Sequence, residues 1–179
     1  MNKIDALKIL KQWDRAGKYV FTKHDFNKLF ANQRQKTIDE SLNRLVKCGL
    51  LQRVCRGIYV LPDAQSFDAN TIEHIAKALR QGYYNYVSLE SMLSEYGAIS
   101  QVPMDRLTVM TSGRGGVYQT PYGVIEFIHT KRSVPDILNN IKNIPQRPLR
   151  VATKLTAWRD LKRVGRNTAM VNREEIEDE

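Results

Sequence analysis

Across residues 32–61 the spacing of apolar residues changes from helical to alternating, and that change sets the architecture of the first third of the chain. Ile38, Leu42, Leu45 and Val46 fall on one face at 4-3-1 spacing, and Gly49 follows as a stop. The pattern predicts a helix over residues 33–47 with Asn32 as its N-cap. The next residues, LLQRVCRGIYVL, alternate. They read as a hairpin of strands 51–54 and 58–60 with Arg56-Gly57 at the turn. Upstream, Ile4, Leu7, Leu10 and Trp13 make one apolar stripe, so residues 2–15 read as a helix ended by Gly17. Tyr19-Val20-Phe21 is a short extended piece. Thr22 then fits an N-cap, with Asp25 in the acid position of a capping box. A short helix over 23–30 would bury Phe26, Leu29 and Phe30. The order is helix, short helix, polar-faced helix and hairpin, which is the pattern of a winged helix-turn-helix.

Chemistry points the same way. The polar side of the 33–47 helix carries Gln33, Lys36, Thr37, Glu40, Asn43, Arg44 and Lys47. Amides, hydroxyls and cations can hydrogen-bond base edges and phosphates in a major groove. The candidate DNA-binding residues are Thr22, Lys23, Asn32, Gln33, Lys36, Thr37 and Arg44, with Arg53 and Arg56 of the wing near the flanking backbone or minor groove. A solvated helix face, or a winged helix used for protein docking, would need only the same three-helix core.

Charge weighs between these readings. The chain has 179 residues, 28 Lys and Arg against 19 Asp and Glu, and a net charge of +9. Residues 1–61 hold thirteen basic against five acidic side chains, a local +8 that favours a nucleic acid. Residues 62–130 are net −3, residues 131–170 net +8, and the tail 171–179 net −4. The second basic block suggests a further surface formed by Lys131, Arg132, Lys154, Lys162, Arg163 and Arg166. A solvated face is its simpler explanation.

Other classes find little support. No apolar run approaches the roughly 20 residues that span a bilayer, and the charged first residues do not resemble a signal peptide. A cytoplasmic protein with no membrane partner is expected. Cys48 and Cys55 form no CxxC pair and read as two reduced, partly buried thiols, with a redox pair as the alternative. His24, His74 and His129 are scattered, so no metal site or other cofactor is expected. Ser112-Gly113-Arg114-Gly115-Gly116 lies between two expected strands, whereas a phosphate-cradling P-loop joins a strand to a helix. It reads as a flexible hairpin loop. Glu126 sits on a strand as a nuclease carboxylate would, but Ile128 stands where Glu-x-Lys needs lysine. No nucleophile–base set has usable spacing, and the chain is not expected to be an enzyme.

Helices are expected over 70–81, over 89–96 with Ser88 as cap, from Ser133 and Pro135 to about residue 144, and through VATKLTAWRDLKRVG with Val151, Leu155, Trp158 and Leu161 inward. Strands are expected at 107–111, 117–119 and 124–129 in a small mixed sheet. The fold class is α+β, with a winged helix-turn-helix over residues 1–66 and an α+β domain with an acidic tail over 67–179.

Several segments in order resemble the AbiEi-type antitoxins of abortive-infection, type IV toxin–antitoxin systems. They are RGIYVLP at 56–62, YVSLESMLSEYGAI at 86–99, RLTVMTSGRGG, YGVIEFIHT and VATKLTAWRDLKR. The resemblance implies an autorepressor that binds inverted repeats in the double-stranded DNA of its own promoter. It implies a nucleotidyltransferase-like toxin as functional partner, whether or not the two proteins touch. Such a protein would be a monomer or weak dimer in solution and cooperative on DNA. The rival readings are a winged-helix transcription factor with an unrelated sensor domain and a nucleic-acid-processing enzyme.

Overall fold

The computed structural model describes residues 2–100 and 105–177. It divides into two compact units, Met1–Thr71 and Ile72–Glu179. Residues 178–179 of the acidic tail lie outside the described residues.

In the first unit, helix α1 (Lys3–Arg15) opens at Asn2, whose side chain accepts from Asp5 N at 2.8 Å. Its buried residues are Ala6, Leu10 and Asp14. The expected apolar stripe is therefore rotated, and Ile4 is 63% exposed. Asp14 tolerates burial because its carboxylate accepts from Gln65 N, Ser66 N and the Ser66 hydroxyl at 2.6–2.9 Å. These bonds, the Ser66 hydroxyl foremost, hold its carboxyl below the usual range.

Strand β1 (Val20–Thr22) leads directly into α2 (Lys23–Leu29). Thr22 and Asp25 form the expected capping box. Helix α3 (Gln35–Lys47) begins later than expected. Gln33 N donates to Phe30 O and closes a turn, so Asn32 lies in that turn and Arg34 takes the N-cap position without a side-chain bond. Strands β2 (Gln52–Cys55) and β3 (Ile58–Val60) follow. The sheet has three strands in the order β1-β3-β2, all neighbours antiparallel. The extended piece before α2 thus completes what the sequence suggested as a two-stranded hairpin. Gly57 takes φ +78° at the turn, where a side chain would be strained. Phe26 stands at the centre of the core, with Phe21 and Tyr59 rings at 5.7 and 5.8 Å.

The second unit is built on a mixed six-stranded sheet in the order β6-β7-β5-β4-β9-β8. Its elements are α4 (Thr71–Leu79), β4 (Asn85–Val87), α5 (Leu89–Glu95), β5 (Arg106–Thr111), β6 (Gly116–Thr120), β7 (Gly123–His129), α6 (Val134–Asn139), β8 (Ile141–Lys142), β9 (Arg150–Ala152), α7 (Lys154–Val164) and the tail helix α8 (Glu174–Glu177). The chain is a mixed α+β protein. Strands β4, β8 and β9 were not expected. Helix α6 stops early because the Asn140 amide folds back onto the Asp136 carbonyl at 2.7 Å, and residues 141–142 pair with β9. Helix α7 starts only at Lys154, capped by Thr153, because Val151 and Ala152 are spent on the sheet. Leu155 is consequently exposed rather than core, whereas Val151 and Leu161 are fully buried. β5 and β6 do not form a hairpin, since both pair with β7, which lies between them. Ser88 does not cap α5. Its hydroxyl donates to Asp160 at 2.8 Å, beside the Tyr86 hydroxyl at 3.0 Å.

Candidate nucleic-acid interface

Helix α3 buries Ile38, Ser41, Leu42 and Leu45. At about 100° per residue, the line opposite these residues runs through Lys36, Glu40, Asn43 and Lys47, all exposed. Lys36 is thus placed as expected. Thr37 and Arg44 lie to one side, on the flank shared with Ser41, and the Arg44 guanidinium donates to the Ser41 hydroxyl at 3.1 Å. Arg44 also lines a groove with Asn2, Lys3 and Cys48. Gln33 and Asn32 precede the helix, Gln33 half-buried and Asn32 exposed. Asn43 and Lys47 stand on the outward line that the candidate set left out. The helical period of α3 was enough to find them.

The start of α3 has no side-chain cap and no acid in its first turn. Such an end, with Lys36 beside it, suits an anion, because free N–H groups and the helix dipole both favour negative charge. Asp39 is offset locally. It pairs with Lys23 at 2.9 Å and accepts from Gln35 at 3.0 Å, and the Lys23 ammonium foremost holds its carboxyl below the usual range. Lys23 therefore neutralises an acid on this face rather than standing free. Thr22 is also committed. Its hydroxyl donates to Asp25 and accepts from Asp25 N, leaving no side-chain donor for a phosphate.

Arg53 on β2 and Arg56 at the turn are both exposed. The β1–β3 register sets Thr22 against Ile58, and Lys23 N donates to Gly57 O at 2.8 Å. The turn bearing Arg56 is therefore fixed beside the start of α2. Cys48 is exposed and Cys55 half-buried, and both thiols are free. Burial pushes the Cys55 thiol up. Cys48 thus departs from the expected partial burial.

The second basic group does not hold together. Arg132 is nearly buried and pairs with Asp160 and Asp136, each at 3.1 Å. Arg166 pairs with Glu90 and Glu126, and Arg106 also holds Glu126. Burial works to raise the Glu126 carboxyl, but Arg166 and Arg106 hold it below the usual range. Its place on the strand is that of an ion-pair partner. Lys154 donates to the Glu175 carbonyl at 2.6 Å, and the Lys162 ammonium lies 5.1 Å from the Trp158 ring centre. Lys131, Lys162 and Arg163 remain exposed. The acidic middle of the sequence and part of its second basic block are thus spent on each other.

Among the described residues no helix is long and apolar enough to cross a membrane. No family model matches the chain, and no curated protein matches it. Among solved structures, the crystal structure of RV2827C protein from Mycobacterium tuberculosis is similar. The TM-score is 0.51 and the identity 14%, over 96% of this chain and 69% of that one. The likeness is one of fold, and it spans nearly the whole of this chain.

Proposed function

We propose that the chain is an AbiEi-type antitoxin and autorepressor, whose first unit is a winged helix-turn-helix that binds inverted repeats in its own promoter DNA. The observation that carries this reading is α3. A two-helix pair presents an exposed line of Lys36, Asn43 and Lys47 with an uncapped N-terminus, and an arginine-tipped hairpin turn is fixed beside the start of α2. Lys36 and Lys47 suit phosphates, and Asn43 suits an adenine edge. Arg53 and Arg56 suit the flanking backbone. Glu40 on the same line disfavours misplaced phosphates and suits a cytosine amino group. In this reading the protein is cytoplasmic, acts without catalysis of its own, and counters a nucleotidyltransferase-like toxin encoded beside it.

A transcription factor with a ligand-sensing second unit is the competing reading, and the cleft described below favours it. The test is binding to the chain's own promoter fragment. A Lys36→Ala, Asn43→Ala, Lys47→Ala variant should bind that fragment at least tenfold more weakly, given about 1–3 kcal/mol per good base contact, with an unchanged unfolding midpoint. Equal affinity would remove α3 from the groove. Rescue of growth on co-expression with the adjacent toxin gene separates the antitoxin from a plain transcription factor.

A further inference from the structure

The second unit contains a cleft of about 470 Å³, lined by the end of α4, the turn after it, α6 and the segment entering β9. That volume lies in the range of small-molecule sites. Leu138, Ile141 and Leu149 give it an apolar side. Tyr83 and Tyr84 also line it and are 57% and 42% exposed.

Its charge is one-sided. Lys77, Arg80 and Arg150 line it, and none of the lining residues is Asp or Glu. Arg106, Arg132, Arg147 and Arg166 in the same unit each hold a carboxylate. Arg80 holds none among the described residues, although it is only 7% exposed. Its Nε donates to Arg114 O at 2.7 Å, and its Nη1 to Leu79 O and the Tyr118 hydroxyl at 3.1 Å. Its Nη2 is buried without a partner. The Phe127 ring centre lies 4.3 Å from the guanidinium carbon. The guanidinium is thus held on the β6–β7 side by Arg114, Tyr118 and Phe127, none of which lines the cleft, and the cations that face the cleft are Lys77 and Arg150.

The tyrosines are positioned from behind by the 112–116 loop. Ser112 N donates to Tyr84 O at 2.9 Å, and Tyr84 N donates to the Ser112 hydroxyl at 3.0 Å. Gly113 lies flat against the Tyr83 ring, where a Cβ would stand 2.9 Å from Cγ. The glycine-rich loop, expected to be flexible, is thus a built support. An aromatic surface held in place costs little ordering on binding, and every nucleobase can stack on it.

We infer that this cleft binds a nucleotide, its base stacked on Tyr83 or Tyr84 and its phosphate drawn by Arg150 and Lys77. The inference does not rest on the DNA-binding role of the first unit. The nucleotide is either a free mononucleotide or one unit of a single strand.

Calorimetric titration of the full chain with AMP, ATP, GTP, inorganic phosphate and ten-residue dT and rU oligomers tests it. Heat with the mononucleotides supports a free effector, and heat with the oligomers alone supports a single strand. In either case Tyr84→Ala and Arg150→Glu should each weaken binding by about tenfold or more, with unchanged unfolding midpoints. A Lys36→Ala, Lys47→Ala variant should bind as the parent does, which separates this site from α3. Hydrogen-exchange protection on ligand addition should fall on residues 80–85 and 148–150. No binding at millimolar concentrations, inorganic phosphate binding as tightly as AMP, or affinities unchanged in both cleft variants would each overturn the inference.

Discussion

Leu89 is fully buried and holds φ +59°, a backbone region that L-residues other than glycine, asparagine and aspartate rarely enter. Thr108 maintains it from the neighbouring strand, accepting from Ser91 N and donating to Ser88 O at 2.6 Å. Two effects oppose each other here. Losing a buried leucine side chain costs about 2–5 kcal/mol, and left-handed backbone costs about 1–2 kcal/mol wherever a Cβ is present. In an ordinary helix, glycine is about 1 kcal/mol worse than alanine. At Leu89 the order should reverse, and urea unfolding should find Leu89→Gly no less stable than Leu89→Ala. A glycine variant clearly less stable than the alanine variant would show that the backbone is relaxed at this position. In the sequence, Leu89 is only the first residue of an expected helix over 89–96. Ser88 does not cap the helix that Leu89 opens, because its hydroxyl donates to Asp160, 72 residues further along the chain. Thr22 was legible for the opposite reason, because its cap partner Asp25 lies three residues away.

Elements were readable where their hydrogen bonds are local or their neighbours adjacent in sequence. Helix α3 shows its period in Ile38, Leu42 and Leu45, and the β2–β3 hairpin closes on its own turn. β8 and β9 are two and three residues long, too short to display alternation, and β9 finds its parallel partner β4 more than sixty residues upstream. No local pattern encodes such a pairing. The hairpin turn yields its own prediction. Arg53 and Arg56 are exposed, and among the described residues neither is paired with a carboxylate. Replacing both with alanine should weaken binding to promoter and unrelated DNA alike. The slope of log affinity against log salt should flatten by about 0.9 per lost phosphate contact. An unchanged slope would take the turn off the DNA.

At the scale of the whole chain, blocks of charge could be counted but their cancellation could not be seen. Arg147 meets Glu73 and Arg166 meets Glu90 across 74 and 76 residues. The +8 of residues 131–170 is therefore a smaller exposed charge than its sum suggests. The division into units also refines the fragment to be tested. The Tyr19 hydroxyl meets Thr71 at 2.9 Å and the Tyr19 ring packs on Phe67, so a fragment ending at residue 66 loses part of its own core. Fragment 1–71 should bind a single promoter repeat without cooperativity, and the full chain should bind paired repeats with a steeper Hill slope. Identical slopes on the paired site would leave the second unit no part in repression. The placement of β9 between β4 and β8 also has a consequence for translation. A ribosome making this protein has linked every residue of the first unit long before it reaches β9. β4 keeps an open edge, and Glu73 and Glu90 lack their arginines, until residues 147–166 emerge. A message cut short in that interval yields a whole first unit joined to an unfinished sheet that proteases can remove.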